Sequence, residues 1–126
     1  MLCESGATPM NVRELISSYN DAWNAHDLEA ICALHAPGMI FENHTAGERA
    51  EGDAVREHIA GIFAAYPDLR FETRSMRTGD DFAVCEWTAR TGDREWDGVD
   101  VFPLRDGLIV RKDVYSASHR AHPIEA

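Results

Sequence analysis

The sequence has few cysteines and no motif built from them. Cys3, Cys32 and Cys85 are odd in number and widely spaced, and no C-x-x-C pair occurs. A disulfide framework or a zinc site would need paired or closely spaced cysteines. A glycine-rich phosphate loop and a G-x-S-x-G turn are also missing, so no motif indicates nucleotide binding or serine hydrolysis. We therefore expect a reducing compartment, no metal and no cofactor.

Basic charge is scarce as well. The chain has 12 basic residues against 22 acidic ones, which gives a net charge of -10. Such a field repels phosphate backbones and anionic lipid, so we predict neither a nucleic-acid partner nor a membrane partner. No apolar stretch approaches the roughly 20 residues of a spanning helix, and residues 1–10 lack the pattern of a signal peptide. A cytoplasmic protein is expected.

What the chain does contain is typical of one globular domain. Apolar residues make up 44% of its 126 residues, which is enough for a core. No repeat, linker or low-complexity segment divides the sequence. We predict a single domain over residues 1–126, with its core at about 10–118 and short flexible segments outside it.

Apolar spacing and capping residues predict three helices in the first half. Thr8 and Pro9 would begin the first helix, which should end near Ala25-His26. Asp27 would cap the second, and Ala36-Pro37-Gly38 would stop it. Asp53 would cap the third, and Pro67 would end it.

The pattern then changes to strands. A short strand is predicted at 39–41 and a loop at 45–52, and the long strands at 69–78, 82–91, 96–104 and 108–115. Asp106-Gly107 is a strong hairpin signal. Because helices and strands are segregated, the fold class is α+β. We expect a curved antiparallel sheet wrapped around the three helices, with an apolar cavity between them.

Three stretches carry a resemblance to a known superfamily: Tyr19 to Leu28, Phe41 to His44 followed by Gly52 to Val55, and Val101 to Ile109. Over about residues 10–118 the sequence resembles the nuclear transport factor 2-like superfamily. That superfamily includes SnoaL-like polyketide cyclases, ketosteroid isomerases and limonene epoxide hydrolases. The resemblance implies a cone-shaped, cystatin-like α+β barrel, a pocket for a small hydrophobic molecule and a homodimer. It does not fix the chemistry, because this fold hosts enzymes and non-catalytic binders.

The resemblance also implies two oxyanion donors, Tyr19 and Asp100. Tyr19 lies eight residues before Asp27, as does the oxyanion tyrosine of ketosteroid isomerases before its second-helix aspartate. Asp100 lies seven residues before Gly107, close to where those enzymes keep a protonated aspartic acid. A phenol and a neutral carboxyl can both stabilise an enolate. The alternatives are a core tyrosine and an aspartate on a solvated face.

Asn43 departs from the isomerase pattern, because that position would need a carboxylate base. Epoxide hydrolases of this fold carry an asparagine there, yet their Arg-x-Asp pair would fall on Trp87 and Ala89. Epoxide hydrolysis is therefore the less favoured chemistry. Asn43 is either a hydrogen-bonding residue of the pocket or a turn-forming asparagine.

Asp113 or His44 would then move the proton, although Asp113 is one residue out of register with the acid-base aspartate of the cyclases. Both also have structural interpretations, as a surface carboxylate and a structural histidine. His119 and His122 form H-x-x-H, but no third ligand is nearby, and no metal site is predicted. The predicted pocket lining, besides Asn43, comprises Trp23, Phe41, Phe63, Trp87 and Phe102. The alternative for these aromatic residues is ordinary core packing.

Two functions stay open at this stage. One is an isomerase or cyclase that acts on a small hydrophobic carbonyl compound through an enol or enolate. The other is a non-catalytic module that binds a small molecule or dimerises. An ionisable base within hydrogen-bond reach of Asp100 and Tyr19 would favour the enzyme.

Overall fold

A computed structural model of the chain describes residues 10–117. It contains three helices and six strands: α1 (Val12–Asn24), α2 (Leu28–Ala33), β1 (His35–Asn43), β2 (Glu48–Glu51), α3 (Ala54–Ala65), β3 (Arg70–Thr78), β4 (Phe82–Thr91), β5 (Arg94–Arg105) and β6 (Leu108–Ser116). The predicted α+β class is confirmed. Thr8, Pro9, His119 and His122, on which sequence predictions rest, lie outside the described residues.

Helix α1 begins at Val12 with a complete capping box at Asn11, so the predicted start at Thr8 and Pro9 is wrong. The Asn11 side chain accepts a hydrogen bond from the Glu14 amide at 2.8 Å, and the Glu14 carboxylate accepts one from the Asn11 amide at 3.1 Å. Reciprocal caps of this kind satisfy two amides that have no partner inside the helix. The apolar spacing then directs one face, which includes Tyr19 and Trp23, into the core.

The six strands form one sheet in the order β2-β1-β6-β5-β4-β3. All neighbours are antiparallel except β1 and β6, which are parallel. The prediction of a fully antiparallel sheet is therefore wrong at one pair. The sheet is curved, but it has two free edges, β2 and β3, so the barrel is open rather than closed.

Two local predictions in the first half are also wrong. Ala36 to Gly38, predicted to stop a helix, belong to β1, and α2 already ends at Ala33. The pairing of β1 with β6 shifts between His35 and Ile40, and this irregularity accommodates Pro37 and Gly38. The predicted loop at 45–52 contains β2, a polar edge strand with no apolar alternation.

The last hairpin fixes which side chains face the helices. Asp106 and Gly107 both have positive φ, 54° and 74°, as a type I′ turn requires. The turn pairs β5 with β6, so that Asp100 stands opposite Val114. Side chains of a strand alternate between its faces, and Asp100 and Phe102 are both buried on the face toward the helices.

Among residues 10–117, no helix has the length and apolar character needed to cross a bilayer.

Candidate functional site

A cavity of about 690 Å³ lies between the helices and the inner face of the sheet. Its walls combine aromatic and aliphatic side chains with polar and charged ones. The lining includes Trp23, Phe41, Asn43, His58, Trp87, Asp100 and Lys112. Cavities with this mixture and size are typical of small-molecule sites.

Asp100 and Lys112 form an ion pair in the wall of this cavity. They project from the neighbouring strands β5 and β6 on the inner face of the sheet, and each residue is only 5% exposed. Lys112 Nζ lies 3.8 Å from Asp100 Oδ2, which is longer than a direct hydrogen bond. A buried pair of this kind contributes little stability, because desolvation of both charges offsets their attraction.

Aromatic rings surround the ammonium of Lys112. Its Nζ lies 3.7 Å from the centroid of the Trp23 ring and 5.2 Å from that of Tyr19. The rings of Phe41 and Phe102 follow at 5.4 Å and 5.9 Å. The negative faces of aromatic rings attract a cation, so this cage offers Lys112 a partial substitute for water.

The environment shifts the two members of the pair toward their neutral forms. Burial raises the pKa of the Asp100 carboxyl, and the nearby Lys112 charge opposes that rise. Burial likewise lowers the pKa of the Lys112 amine, against the attraction of Asp100. A proton can therefore pass between the two groups at a smaller free-energy cost than it would between an ordinary aspartate and lysine in water.

Four buried polar atoms in the described part of the chain have no hydrogen-bond partner. They are Asp100 Oδ1, His58 Nε2, Trp23 Nε1 and Trp87 Nε1. The Trp87 indole helps to lower the pKa of Asp100, but the two groups do not meet in hydrogen-bonding geometry. All four atoms belong to residues that line the cavity. Buried polar groups are normally satisfied, so these four atoms are the free hydrogen-bonding positions of the cavity wall.

Tyr19 lies behind this site rather than in it. Its side chain is fully buried, and its hydroxyl shares a hydrogen bond of 2.9 Å with His35 Nε2. Burial raises the pKa of Tyr19 and lowers that of His35 to about 4. Phe102 packs edge-on against Tyr19 at 5.5 Å between ring centroids. Neither Tyr19 nor Phe102 lines the cavity, although both contribute rings to the cage around Lys112.

The other predicted lining residues divide into two groups. Trp23, Phe41 and Trp87 line the cavity, as does Asn43. The Asn43 side-chain oxygen, however, accepts hydrogen bonds from the amides of Thr45 and Ala46 at 3.1 Å and 2.9 Å, so it holds a turn. Phe63 is not part of the cavity lining, and it stacks on His26 at 4.1 Å.

Asp113 and His44, the predicted proton carriers, lie on the opposite face of the sheet. His44 Nε2 is 2.8 Å from Asp113 Oδ1, and Arg111 donates to the same carboxylate at 2.8 Å. The Arg111 and His44 hydrogen bonds hold the pKa of Asp113 below its ordinary value. Since neighbouring residues of a strand face opposite ways, Asp113 does not meet Asp100.

Glu42, His44 and Asp113 place possible metal-ligand atoms within 4.8 Å of one another. Arg111 Nη2 already lies 2.9 Å from Glu42 Oε1 and 2.8 Å from Asp113 Oδ1. A guanidinium in this position neutralises the carboxylates that a cation would need. The cluster is therefore an ion-pair network, and it carries no metal proposal.

Lys112 is the site residue that sequence reasoning missed. Period-two alternation already separates it from Asp113, but a lysine on a strand is usually a solvated residue. One signal was available: Lys112 is the only lysine among the 12 basic residues of the chain. Arginine occupies every other basic position, and arginine and lysine differ in chemistry, so the single lysine is a position to examine.

The open, curved sheet and its three helices are the fold of the nuclear transport factor 2-like superfamily. Structures from that superfamily match over most of this chain. The sequence model of the SnoaL-like domain matches residues 16–112. The chain belongs to the SnoaL-like domain family, which confirms the resemblance seen in the sequence.

Three solved structures illustrate the similarity. A candidate ketosteroid isomerase from Kribbella flavida DSM 17836 is 24% identical, with 90% of this chain and 82% of that one covered, at a TM-score of 0.74. A SnoaL-like protein of unknown function from Burkholderia thailandensis E264 is 23% identical, with coverages of 87% and 100% and a TM-score of 0.75. A nuclear transport factor 2-like protein of unknown function from Mesorhizobium loti is 25% identical, with coverages of 84% and 90% and a TM-score of 0.74. No curated protein sequence matches the chain.

Proposed function

We propose that this SnoaL-like domain binds a small, largely apolar carbonyl compound and moves a proton on it through an enol or enolate. The observation that carries this proposal is the buried Asp100–Lys112 pair, whose nitrogen and oxygen are 3.8 Å apart in the wall of the cavity beside aromatic rings. The reaction class is isomerisation or cyclisation.

The pair supplies both functions that enolisation needs. In its neutral form, the Asp100 carboxyl donates a hydrogen bond to the carbonyl oxygen and the Lys112 amine takes a proton from the adjacent carbon. Asp100 then transfers its proton to the oxygen, which leaves the enol beside an aspartate and an ammonium. Return of a proton to a different carbon completes an isomerisation. The aromatic cage favours this reaction because it stabilises the ammonium that forms.

The polar atoms without partners support a ligand that carries oxygen. The indole N–H groups of Trp23 and Trp87 can donate to a carbonyl or hydroxyl oxygen, and His58 Nε2 can donate or accept. The area between them is apolar and would suit a flat ring system. A purely hydrocarbon ligand would leave all four atoms unsatisfied, which costs free energy.

A non-catalytic binder is the second candidate, and three observations favour it. The Lys112 amine lies 3.8 Å from the Asp100 carboxylate, so it does not meet the hydrogen-bond distance expected of the enzyme. Tyr19 is bonded to His35 and lies outside the cavity lining, and the Asn43 side-chain oxygen is engaged by a turn. Two of the polar groups that family resemblance assigns to chemistry are therefore used for structure. The two candidates make different demands on Asp100 and Lys112, since a binder needs them only for affinity.

Proton transfer can be measured without knowing the natural substrate. The probes are cyclohexanone, a bicyclic decalone and a steroid enone in D2O, and NMR follows the loss of the α-proton signals. We expect exchange above the buffer rate for at least one probe, and a reduction of at least tenfold in Asp100→Asn and in Lys112→Met. A binder would retain the probe in saturation-transfer NMR but would not accelerate exchange.

Asp113→Asn is the matched control, because it changes a neighbouring carboxylate on the outer face of the same sheet. It should leave exchange within twofold of the wild-type rate. Equal loss in Asp113→Asn and Asp100→Asn would contradict the assignment of chemistry to the inner face. Native mass spectrometry of the gently purified protein would add the mass of any retained ligand and would test the predicted homodimer.

A further inference from the structure

The single lysine of this chain lies where a lysine is least expected. The remaining eleven basic residues are arginines, and Lys112 is 5% exposed. Lysines are almost never buried to this extent unless they are paired. Arginine would provide charge and more hydrogen bonds at the same position, so charge alone does not account for the choice of lysine.

A primary amine can do one thing that a guanidinium cannot. It can lose a proton at moderate pH and attack a carbonyl carbon, whereas arginine stays protonated. Lysines that form covalent adducts with carbonyl compounds are desolvated in hydrophobic pockets. Lys112 lies in such a pocket. Its Nζ is 3.7 Å from the centroid of the Trp23 ring and 3.8 Å from Asp100 Oδ2.

We propose that Lys112 is a nucleophile that forms a Schiff base with the carbonyl group of the bound ligand. The ligand class, an aldehyde or ketone, rests on the proposed function. The inference goes further because it assigns a covalent intermediate to the amine, in place of the simple base described above.

The step balances with Asp100 as the proton carrier. Asp100 takes a proton from the Lys112 ammonium, and the free amine attacks the carbonyl carbon to form a C–N bond. The carbonyl oxygen receives that proton from Asp100, which next removes a second proton from the nitrogen. Asp100 returns this proton to the hydroxyl, the C–O bond breaks and water leaves. The products are an iminium ion on Lys112, an Asp100 carboxylate and one water molecule.

The aromatic rings around Lys112 stabilise the iminium ion as well as the ammonium. An iminium nitrogen is cationic and occupies the place of the ammonium, so the same rings of Trp23, Tyr19, Phe41 and Phe102 stabilise it. Asp100 remains its counter-ion. No new charge is buried in the step, which removes the main electrostatic obstacle to forming an iminium ion in an apolar cavity.

Reductive trapping tests the inference. Wild-type protein is incubated with benzaldehyde or cyclohexanone and sodium cyanoborohydride at pH 7, and peptide mass spectrometry locates the reduced adduct. The α-amino group at the start of the chain is the internal reference, because amine reactivity is otherwise confined to Lys112. The same reaction in urea gives the ratio of the two adducts for the unfolded chain.

We expect folding to raise the ratio of Lys112 adduct to α-amino adduct at least tenfold. In the unfolded chain the α-amino group should react first, because its ordinary pKa of about 8 is lower than the 10.4 of lysine. An unchanged or lower ratio in the folded protein would overturn the inference. This comparison uses only the wild-type chain, so it does not depend on a variant that folds.

Two variants and one parallel measurement refine the result. Lys112→Arg retains the positive charge and should give no adduct in the cavity, and Asp100→Asn should slow trapping at Lys112 at least fivefold. The α-proton exchange of the same probes is measured alongside. Exchange without an adduct at Lys112 would overturn the Schiff base but leave the proposed function standing, and absence of both would contradict both.

Discussion

Arg111, Lys112 and Asp113 are consecutive residues of one strand, yet the charged groups on the two faces of that strand have opposite surroundings. On the outer face, Arg111 and Asp113 are joined at 2.8 Å, and His44 and Glu42 complete the network. On the inner face, Lys112 meets one carboxylate at 3.8 Å and is otherwise surrounded by rings. The charged groups of the outer face are hydrogen-bonded to one another, whereas Asp100 and Lys112 on the inner face are not.

The two faces also shift the pKa values of their charged groups in opposite directions. The outer network favours the charged forms of Asp113 and Arg111: hydrogen bonds lower the pKa of Asp113 and raise that of Arg111. On the inner face, burial raises the pKa of Asp100 and lowers that of Lys112, so both groups are brought closer to exchanging a proton. Buried groups whose pKa values are shifted in this way are characteristic of functional sites.

The largest expected effect is on the inner pair. Asp100→Asn leaves the buried Lys112 amine without its counter-ion, and we expect the free energy of unfolding to fall by about 3 kcal/mol, as is typical when one partner of a buried pair is removed. Urea denaturation measures this loss. The double variant Asp100→Asn, Lys112→Met should recover part of it, since no lone charge remains. A double variant as unstable as the sum of the two single ones would show that the groups do not interact.

The next effect is a pH dependence of stability from His35. Its pKa is about 4 in the folded protein against an ordinary value of 6.5. The unfolded chain therefore binds this proton first as pH falls, and the free energy of unfolding should decrease by up to about 3 kcal/mol between pH 6.5 and pH 4. Urea denaturation across that range measures it. His35→Gln should flatten the curve there, and a curve that stays just as steep would mean that another group titrates.

A smaller effect is expected from the cavity wall at Gly98. A Cβ atom on Gly98 would lie 2.3 Å from the Trp87 ring, on the inner face. Gly98→Ala must therefore displace the indole from its place beside Asp100, and we expect a loss of about 1–3 kcal/mol, as for other overpacked cores. Thermal unfolding measures the loss, and near-ultraviolet circular dichroism reports the tryptophan. An unchanged spectrum would contradict the proposed packing of Trp87.

The smallest effect is expected on the outer face. Asp113→Asn keeps the shape of the side chain, and ion pairs that remain in contact with solvent contribute about 1 kcal/mol or less. Arg111 also retains Glu42 as a partner at 2.9 Å. Urea denaturation should therefore show a loss of unfolding free energy well below that of Asp100→Asn. If the two losses were equal, the distinction between the faces would fail.

Much of the fold could be predicted because local chemistry and tertiary structure agree there. The Asp106-Gly107 turn, the apolar face of α1 and the alternation along β4 and β5 each lead to one structure. Strand β2 could not be predicted, because an exposed edge strand with the sequence Glu-Arg-Ala-Glu carries no apolar period. The parallel pairing of β1 with β6 joins distant segments, and neither sequence contains a signal for it.

The site could be predicted only in part. Strand alternation places Asp100 among apolar neighbours, and of the two alternatives that this left open the structure shows the buried one. Its partner lies on another strand, and the cross-strand register that brings Lys112 within 3.8 Å depends on the irregularity between Val101 and Leu104. Tyr19 matched a family spacing, but sequence spacing cannot show that His35 holds its hydroxyl.

The most direct test of the account is the titration of Lys112 itself by NMR. Since the chain has a single lysine, protein grown with 13C-labelled lysine gives one side-chain signal, and no assignment is needed. We predict that its pKa lies below the ordinary value of 10.5, because burial disfavours the charged amine, and that the signal moves when a carbonyl ligand fills the cavity. A pKa at or above 10.5, together with a signal indifferent to every carbonyl probe, would show that Lys112 is only a charged partner for Asp100 and would contradict the account.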